Sequence, residues 1–142
     1  MLFKINEKIS IFFKTWLLYV FSYYPIRAFF ISSYPDFYYE PTLNKIFFAI
    51  ITSPFAGILG IYDNFPFFIF IQVLLMFSIY KLNKDMFHSY VITIIISHLF
   101  LIFFNYNTIV VKKQLLFIFI SLFIAILVNW LILKKKYKLY SK

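Results

Sequence analysis

The stretch "KKQLLFIFISLFIAILVNWLILKKK", residues 112–136, decides the fold class of this chain. Between its two groups of lysines, the run is apolar except for Gln114, Ser121 and Asn129. At ~1.5 Å per residue, such a run is long enough to cross a bilayer core of ~30 Å. The sequence therefore predicts a membrane span at residues 114–133. Its interfacial anchors are the flanking lysines, Lys112, Lys113, Lys134, Lys135 and Lys136.

The composition of the whole chain agrees with that span. Apolar residues make up 63% of the 142 residues and charged residues 13%, and the chain carries 22 Phe and 12 Tyr. Five acidic and fourteen basic residues are too few to form the polar shell that a water-soluble globule of this size needs. We therefore predict an all-α polytopic integral membrane protein forming a single membrane domain. The lack of cysteine excludes disulfides and thiolate metal sites.

The net charge of +9 raises the alternative of nucleic-acid binding. That function needs basic residues along one solvent-exposed face, whereas here they stand at the ends of apolar runs. We expect no nucleic-acid partner, and anionic lipid headgroups and other membrane subunits instead. The abundance of Phe, Ile, Tyr and Lys is typical of an AT-rich genome, which favours a bacterial or a mitochondrial inner membrane.

Four spans are predicted in all, at residues 15–34, 66–80, 86–104 and 114–133. An amphipathic helix at residues 2–14 is expected to lie at the interface before them. A secretory signal peptide is the alternative for this start, but no small-residue cleavage site follows the apolar run. Arg27 follows Pro25 near the end of the first span, and we interpret it as an interfacial anchor. Asp36 or Glu40 in the next loop could pair with it.

The segment at residues 46–61 is predicted to be a short packing or re-entrant helix. Sixteen residues reach only ~24 Å, and Pro54 removes a backbone hydrogen bond near the middle. Small residues that let helices approach closely recur along it: Ala49, Ser53, Ala56, Gly57 and Gly60. Four crossings place ten of the fourteen basic residues on the side of both termini, a stronger bias than five crossings give. Five spans remain the alternative.

Candidate polar contacts inside the membrane are Gln72, His98, Asn105 and Asn129. His98 and Asn105 share a helix face, and Thr93 and Ser97 adjoin it. Such a stripe can mark a proton or ligand path. Our preferred interpretation is that neutral His98 bonds to a neighbouring helix and that Asn105 caps its own. The two single amides are expected to bond between helices, each worth about 1 kcal/mol.

Chemistry-bearing motifs are otherwise missing from the sequence. There is no nucleophile and base pair, phosphate-binding glycine loop or carboxylate dyad. His88 stands beside Asp85 at an expected interface, and two histidines ten residues apart do not form a metal site. We therefore expect no catalytic residue, cofactor or metal.

Three segments carry a family resemblance. They are Arg27 with "YPDFYYEP" at residues 34–41, "IYKLNKDMF" at 79–87 and "FFNYN" at 103–107. Their order from about residue 16 to 107 resembles the horizontally transferred transmembrane domain family, which includes the membrane part of vitamin K-dependent carboxylases. The resemblance implies architecture, because no residue here matches a catalytic lysine or histidine of those enzymes.

The predicted function follows from abundant packing surface and few reactive groups. We expect a small non-catalytic subunit or scaffold of a larger membrane complex, of respiratory or secretion type. One alternative is a free-standing small transporter, or an immunity-type protein that blocks a pore-forming toxin. The other is a membrane enzyme fragment of the resembled family, for which His98 is the candidate residue.

Overall fold

The computed structural model describes residues 2–33, 42–60, 68–105 and 109–140, and the side chains within 7–33, 42–60, 68–103 and 114–138. The described residues form five helices and no strand, which confirms the all-α class. The helices are α1 (Leu2–Ser33), α2 (Leu43–Ile58), α3 (Phe68–Asn83), α4 (Met86–Asn105) and α5 (Ile109–Tyr140).

Helix α1 is continuous over 32 residues. It joins the segment predicted to lie at the interface to the segment predicted to span. Pro25 stays inside the helix, although it lacks the amide that would bond to the preceding turn. Because α1 packs against both α2 and α5, tertiary contacts on either side of Pro25 hold the helix together.

The helices form a bundle in which α1 contacts α2 and α5, while α4 contacts α3 and α5. Helices α1 and α5 are antiparallel, because Thr15 bonds to Tyr137 and Arg27 bonds to Gln114. The Phe87 ring, just after the α3–α4 turn, lies 5.2 Å from that of Tyr137. The start of α1, the α3–α4 turn and the end of α5 therefore share one end of the bundle, which we call the basic end for its lysines.

Helix α2 packs against α1 through small residues. Ser53 and Gly57 are buried, and Ala49 and Ala56 are half-buried. A Cβ atom built on Gly57 would lie 2.4–2.5 Å from the ring of Tyr24, closer than side chains can approach. The two helices can therefore meet at this distance only because residue 57 has no side chain.

Gly60 has a different role from the packing role expected of it. Its φ of 74° is in the left-handed region, and its amide donates to the carbonyl of Gly57 at 2.9 Å. This geometry ends a helix, and glycine adopts it without the strain that a Cβ atom causes. Helix α2 accordingly ends at Ile58, before the predicted end at residue 61.

Among the described residues, two helices are long and apolar enough to cross a membrane, Met86–Phe103 within α4 and Gln114–Lys138 within α5. Helices α2 and α3 are apolar but shorter. The described side chains leave much apolar surface exposed and bury several polar groups beside the nineteen apolar side chains of the core. Thirty large apolar side chains are exposed, while thirteen polar or charged ones are buried. Water disfavours such an exterior, since contiguous apolar patches on soluble monomers are small.

Candidate functional site

The most distinctive feature of the interior is a row of polar side chains on α1. Thr15, Tyr19, Tyr23 and Arg27 follow one another at intervals of four residues, and each is at most 2% exposed. Residues four apart share a helix face, so the row points into the bundle along its length. Together with the partners described below on α3, α4 and α5, we call it the polar seam.

His98 joins α4 to the middle of the row. Its Nδ1 lies 2.9 Å from the carbonyl of Ile94 and its Nε2 lies 3.3 Å from the hydroxyl of Tyr19. A carbonyl only accepts, so Nδ1 carries the proton, and Nε2 accepts from Tyr19 in the neutral ring. The rings of Tyr23 and Phe68 pack on the imidazole with centroids 5.0 and 5.4 Å away. His98 thus bonds to a neighbouring helix from inside an aromatic cage.

Arg27 lies at the other end of the row from Thr15 and is only 2% exposed. Its Nη1 donates to the Tyr23 hydroxyl at 3.3 Å, and its Nη2 donates to Oε1 of Gln114 on α5 at 3.2 Å. The guanidinium is thus held against α5, and the interfacial anchoring expected of Arg27 stays a prediction. The guanidinium turns inward because the facing helix supplies a carbonyl acceptor, which a single-segment analysis does not include.

Gln72 links α3 to α4. Its Nε2 donates to the hydroxyl of Ser97 at 2.8 Å, and Ser97 in turn donates to the carbonyl of Ile94 at 3.1 Å. The Oε1 atom of Gln72 is buried and has no hydrogen-bond partner among the described residues. Gln72 thus joins two helices, as its place in an apolar run indicated. Its amide nitrogen makes the contact, and its amide oxygen does not take part.

Asn129 is the centre of a network at the basic end. Its Nδ2 donates to the hydroxyl of Tyr90 on α4 at 2.9 Å, and its Oδ1 lies 3.4 Å from the hydroxyl of Tyr137. The Tyr137 hydroxyl donates its proton to Oδ1 of Asn129, and its oxygen also lies 2.8 Å from the hydroxyl of Thr15, which lies 2.9 Å from the carbonyl of Ile11. One amide and three hydroxyls therefore tie α1, α4 and α5 together.

The remaining predicted residues lie elsewhere. The side chains of Asn105, Lys112 and Lys113 are outside the described residues. Lys134, Lys135 and Lys136 are exposed at the basic end, and Lys134 Nζ lies 5.1 Å from the ring centroid of Trp130. Among the described residues, no group of three or more His, Cys, Asp or Glu side chains could hold a metal.

The sequence contains a signal for the row on α1 beyond its apolar character. The predicted span at residues 15–34 treats Tyr19 and Tyr23 as part of an apolar run. The spacing of four from Thr15 to Arg27 places the polar ends of all four side chains on one face. A stripe of that kind in an apolar helix indicates a buried interface with other helices.

Comparisons with family models, curated proteins and solved structures found no match to this chain. Of the segments that carry the family resemblance, residues 34–41 lie outside the described part of the chain. The segment at 79–87 forms the end of α3, the turn and the start of α4. Here Lys84 has a left-handed φ of 56°, and the Asp85 carboxylate accepts from the His88 amide at 2.9 Å.

Proposed function

We propose that this chain is a multi-pass membrane protein that serves as a non-catalytic subunit of a larger complex in a bacterial or mitochondrial inner membrane. The observation that carries the proposal is the apolar exterior of the bundle. Thirty large apolar side chains face outward, while buried polar side chains such as Gln72, His98 and Asn129 bond to neighbouring helices. A lipid environment stabilises this arrangement, because apolar side chains face the lipid and these polar groups find partners inside the protein.

A neighbouring subunit is supported by the two faces of α2. One face packs on α1 through Ser53 and Gly57, and the other exposes six large apolar side chains, Leu43, Phe47, Phe48, Ile51, Phe55 and Ile58. With 16 residues, α2 is short for a span, which would require a length of about 20. A partner helix against the outer face would hold α2 at membrane depth, as expected for a packing or re-entrant helix.

Site-specific photo-crosslinking tests the subunit role. A photoreactive phenylalanine analogue replaces Phe48 on the outer face of α2, and Phe119 on α5 serves as the matched control, since both are exposed. We expect Phe48 to yield one defined protein adduct in native membranes, identified by mass spectrometry. Recovery of lipid adducts alone from both positions, with a chain that migrates as a small free species, would argue against a complex.

The polar seam favours one alternative, a small transporter that moves a proton or a polar solute between helices. In that case His98→Leu should abolish transport in proteoliposomes while the fold is retained. Under the subunit proposal, the same substitution weakens the α1–α4 contact and leaves no transport to lose. An enzyme of the resembled family would instead lose its product when His98 becomes Ala.

A further inference from the structure

A cavity of about 120 Å³ opens between the start of α4 and the end of α5, at the basic end. Its lining includes the side chains of Lys134 and Lys138 from α5, of Asp85 from the α3–α4 turn and of His88 from α4. Trp130 and Tyr137 contribute its aromatic walls. We propose that this cavity binds the phosphate group of an anionic phospholipid, an inference that rests on the membrane location proposed above.

The charge of the cavity favours an anion. Lys134 and Lys138 are four residues apart, and Trp130 precedes them by four, so the three side chains share one face of α5. Asp85 is the acidic residue of the lining, and both of its oxygens face His88, at 2.9 Å from the amide and 3.1 Å from Nδ1. The two lysines of the lining outnumber this single carboxylate, so the cavity is net positive.

The surroundings of the cavity favour a lipid over free phosphate. One turn earlier on the same face of α5, Leu127 and Leu131 are 43% and 51% exposed, and Trp130 is 44% exposed. Tryptophan and lysine side by side are typical of headgroup depth, with apolar side chains toward the bilayer centre. A phospholipid would therefore place its phosphate between the lysines and its acyl chains along the leucines.

Native mass spectrometry of the full chain in a neutral detergent tests the site, with phosphatidylglycerol as the probe and phosphatidylcholine as the uncharged comparison. The paired substitution Lys134→Gln and Lys138→Gln should weaken phosphatidylglycerol binding by roughly fivefold per lysine. The control pair Lys135→Gln and Lys136→Gln removes the same charge from exposed positions outside the cavity lining. We expect it to change binding by less than about twofold.

Two further variants separate charge from folding. Lys134→Arg with Lys138→Arg should retain binding, because the positive charges stay. Asp85→Asn should strengthen binding about fivefold, because asparagine keeps the α4 N-cap while the carboxylate charge is lost. Equal losses in the two glutamine pairs, or no loss in either, would overturn the site, as would complete competition by millimolar inorganic phosphate. A chain recovered in water without detergent would instead overturn the membrane proposal itself.

Discussion

Buried tyrosines supply much of the contact between helices. Tyr19, Tyr23, Tyr24 and Tyr90 are each fully buried, and Tyr19 and Tyr23 stack with centroids 5.2 Å apart. An aromatic pair adds about 0.5–1.5 kcal/mol beyond the area that it buries. The hydroxyls of Tyr19 and Tyr90 also reach His98 and Asn129, so the same residues pack and hydrogen-bond.

The lack of space for a side chain at Gly57 gives the first prediction. Gly57→Ala places a Cβ atom 2.4–2.5 Å from the Tyr24 ring and should lower the free energy of unfolding by about 1–3 kcal/mol. Thermal unfolding in detergent measures the loss, with Phe55→Leu on the exposed face as the control. Combining Gly57→Ala with Tyr24→Ala should remove most of the glycine effect, whereas additive losses would contradict a direct clash.

The two buried amides, Gln72 and Asn129, are expected to differ in how much stability their substitution costs. Gln72→Met removes the Nε2 bond to Ser97 together with an Oε1 atom that has no partner among the described residues, so the two effects offset each other and stability should change by less than about 1 kcal/mol. Asn129→Leu leaves the Tyr90 hydroxyl without its donor and should cost about 1–3 kcal/mol. Chemical unfolding of both variants in detergent makes the comparison. Equal losses of stability in the two variants would contradict the structure, in which Asn129 uses both ends of its amide and Gln72 uses one.

At the scale of the element, the ends of α2 and α3 and the start of α4 each have a local cause. Gly60 ends α2 in a left-handed conformation. Lys84 adopts the same conformation after α3, where its Cβ atom makes that conformation strained. Asp85 then caps α4 through the His88 amide. The turn between α3 and α4 therefore needs only two residues, and it fixes the antiparallel contact of these helices at the basic end.

The turn predicts a defined acid response. Partial burial raises the pKa of Asp85, but the hydrogen bonds from His88 outweigh it and lower the pKa below 3.8. A lowered pKa in the folded state means that the stabilisation is complete above pH 3.8 and is lost as the pH falls through the lowered value. In the Asp85→Asn variant, the free energy of unfolding should therefore depend less on pH below about pH 4, because asparagine caps the helix without titrating. An unchanged acid profile would contradict this role.

Substituting the left-handed residue tests the same turn from the other side. Lys84→Gly should stabilise the protein by about 0.5–1 kcal/mol, because glycine adopts a φ of 56° without strain. Lys81→Gly, inside α3, is the control and should destabilise by a similar amount. Thermal unfolding in detergent gives both values, and a loss of stability in Lys84→Gly would exclude the strained conformation.

Sequence periodicity predicts the all-α class and several helix contacts. It does not predict the position of a side chain that depends on a partner from another helix. Gln72, His98 and Asn129 stood out because single polar residues in apolar runs seek partners. The contact of Arg27 with α5 could not be predicted from its own segment, because the acceptor, Gln114, lies 87 residues away in the chain. The packing role of Gly57 was visible in the small-residue spacing, whereas the φ of Gly60 depends on where the helix ends.

At the scale of the whole molecule, the bundle has two chemically different ends. Thr15 with Tyr137, and Phe87 with Tyr137, bring the start of α1, the α3–α4 turn and the end of α5 together. Exposed lysines gather there, including Lys81, Lys84, Lys134 and Lys138. The positive-inside rule would place this end in the cytoplasm or the matrix. Both ends of the chain then lie on one side, which requires an even number of crossings.

Cysteine labelling tests this topology without background, because the chain has no native cysteine. Single cysteines replace Ser10, Leu82 and Lys135, which are exposed at the basic end, and Asn44 at the start of α2. With four crossings, an impermeant maleimide should label the first three from the cytoplasmic or matrix face and Asn44 from the other. Labelling of Ser10 and Lys135 from opposite faces would establish an odd number of crossings. In that case α2 would be a full span despite its 16 residues, and a neighbouring subunit would have to hold this short helix in the membrane.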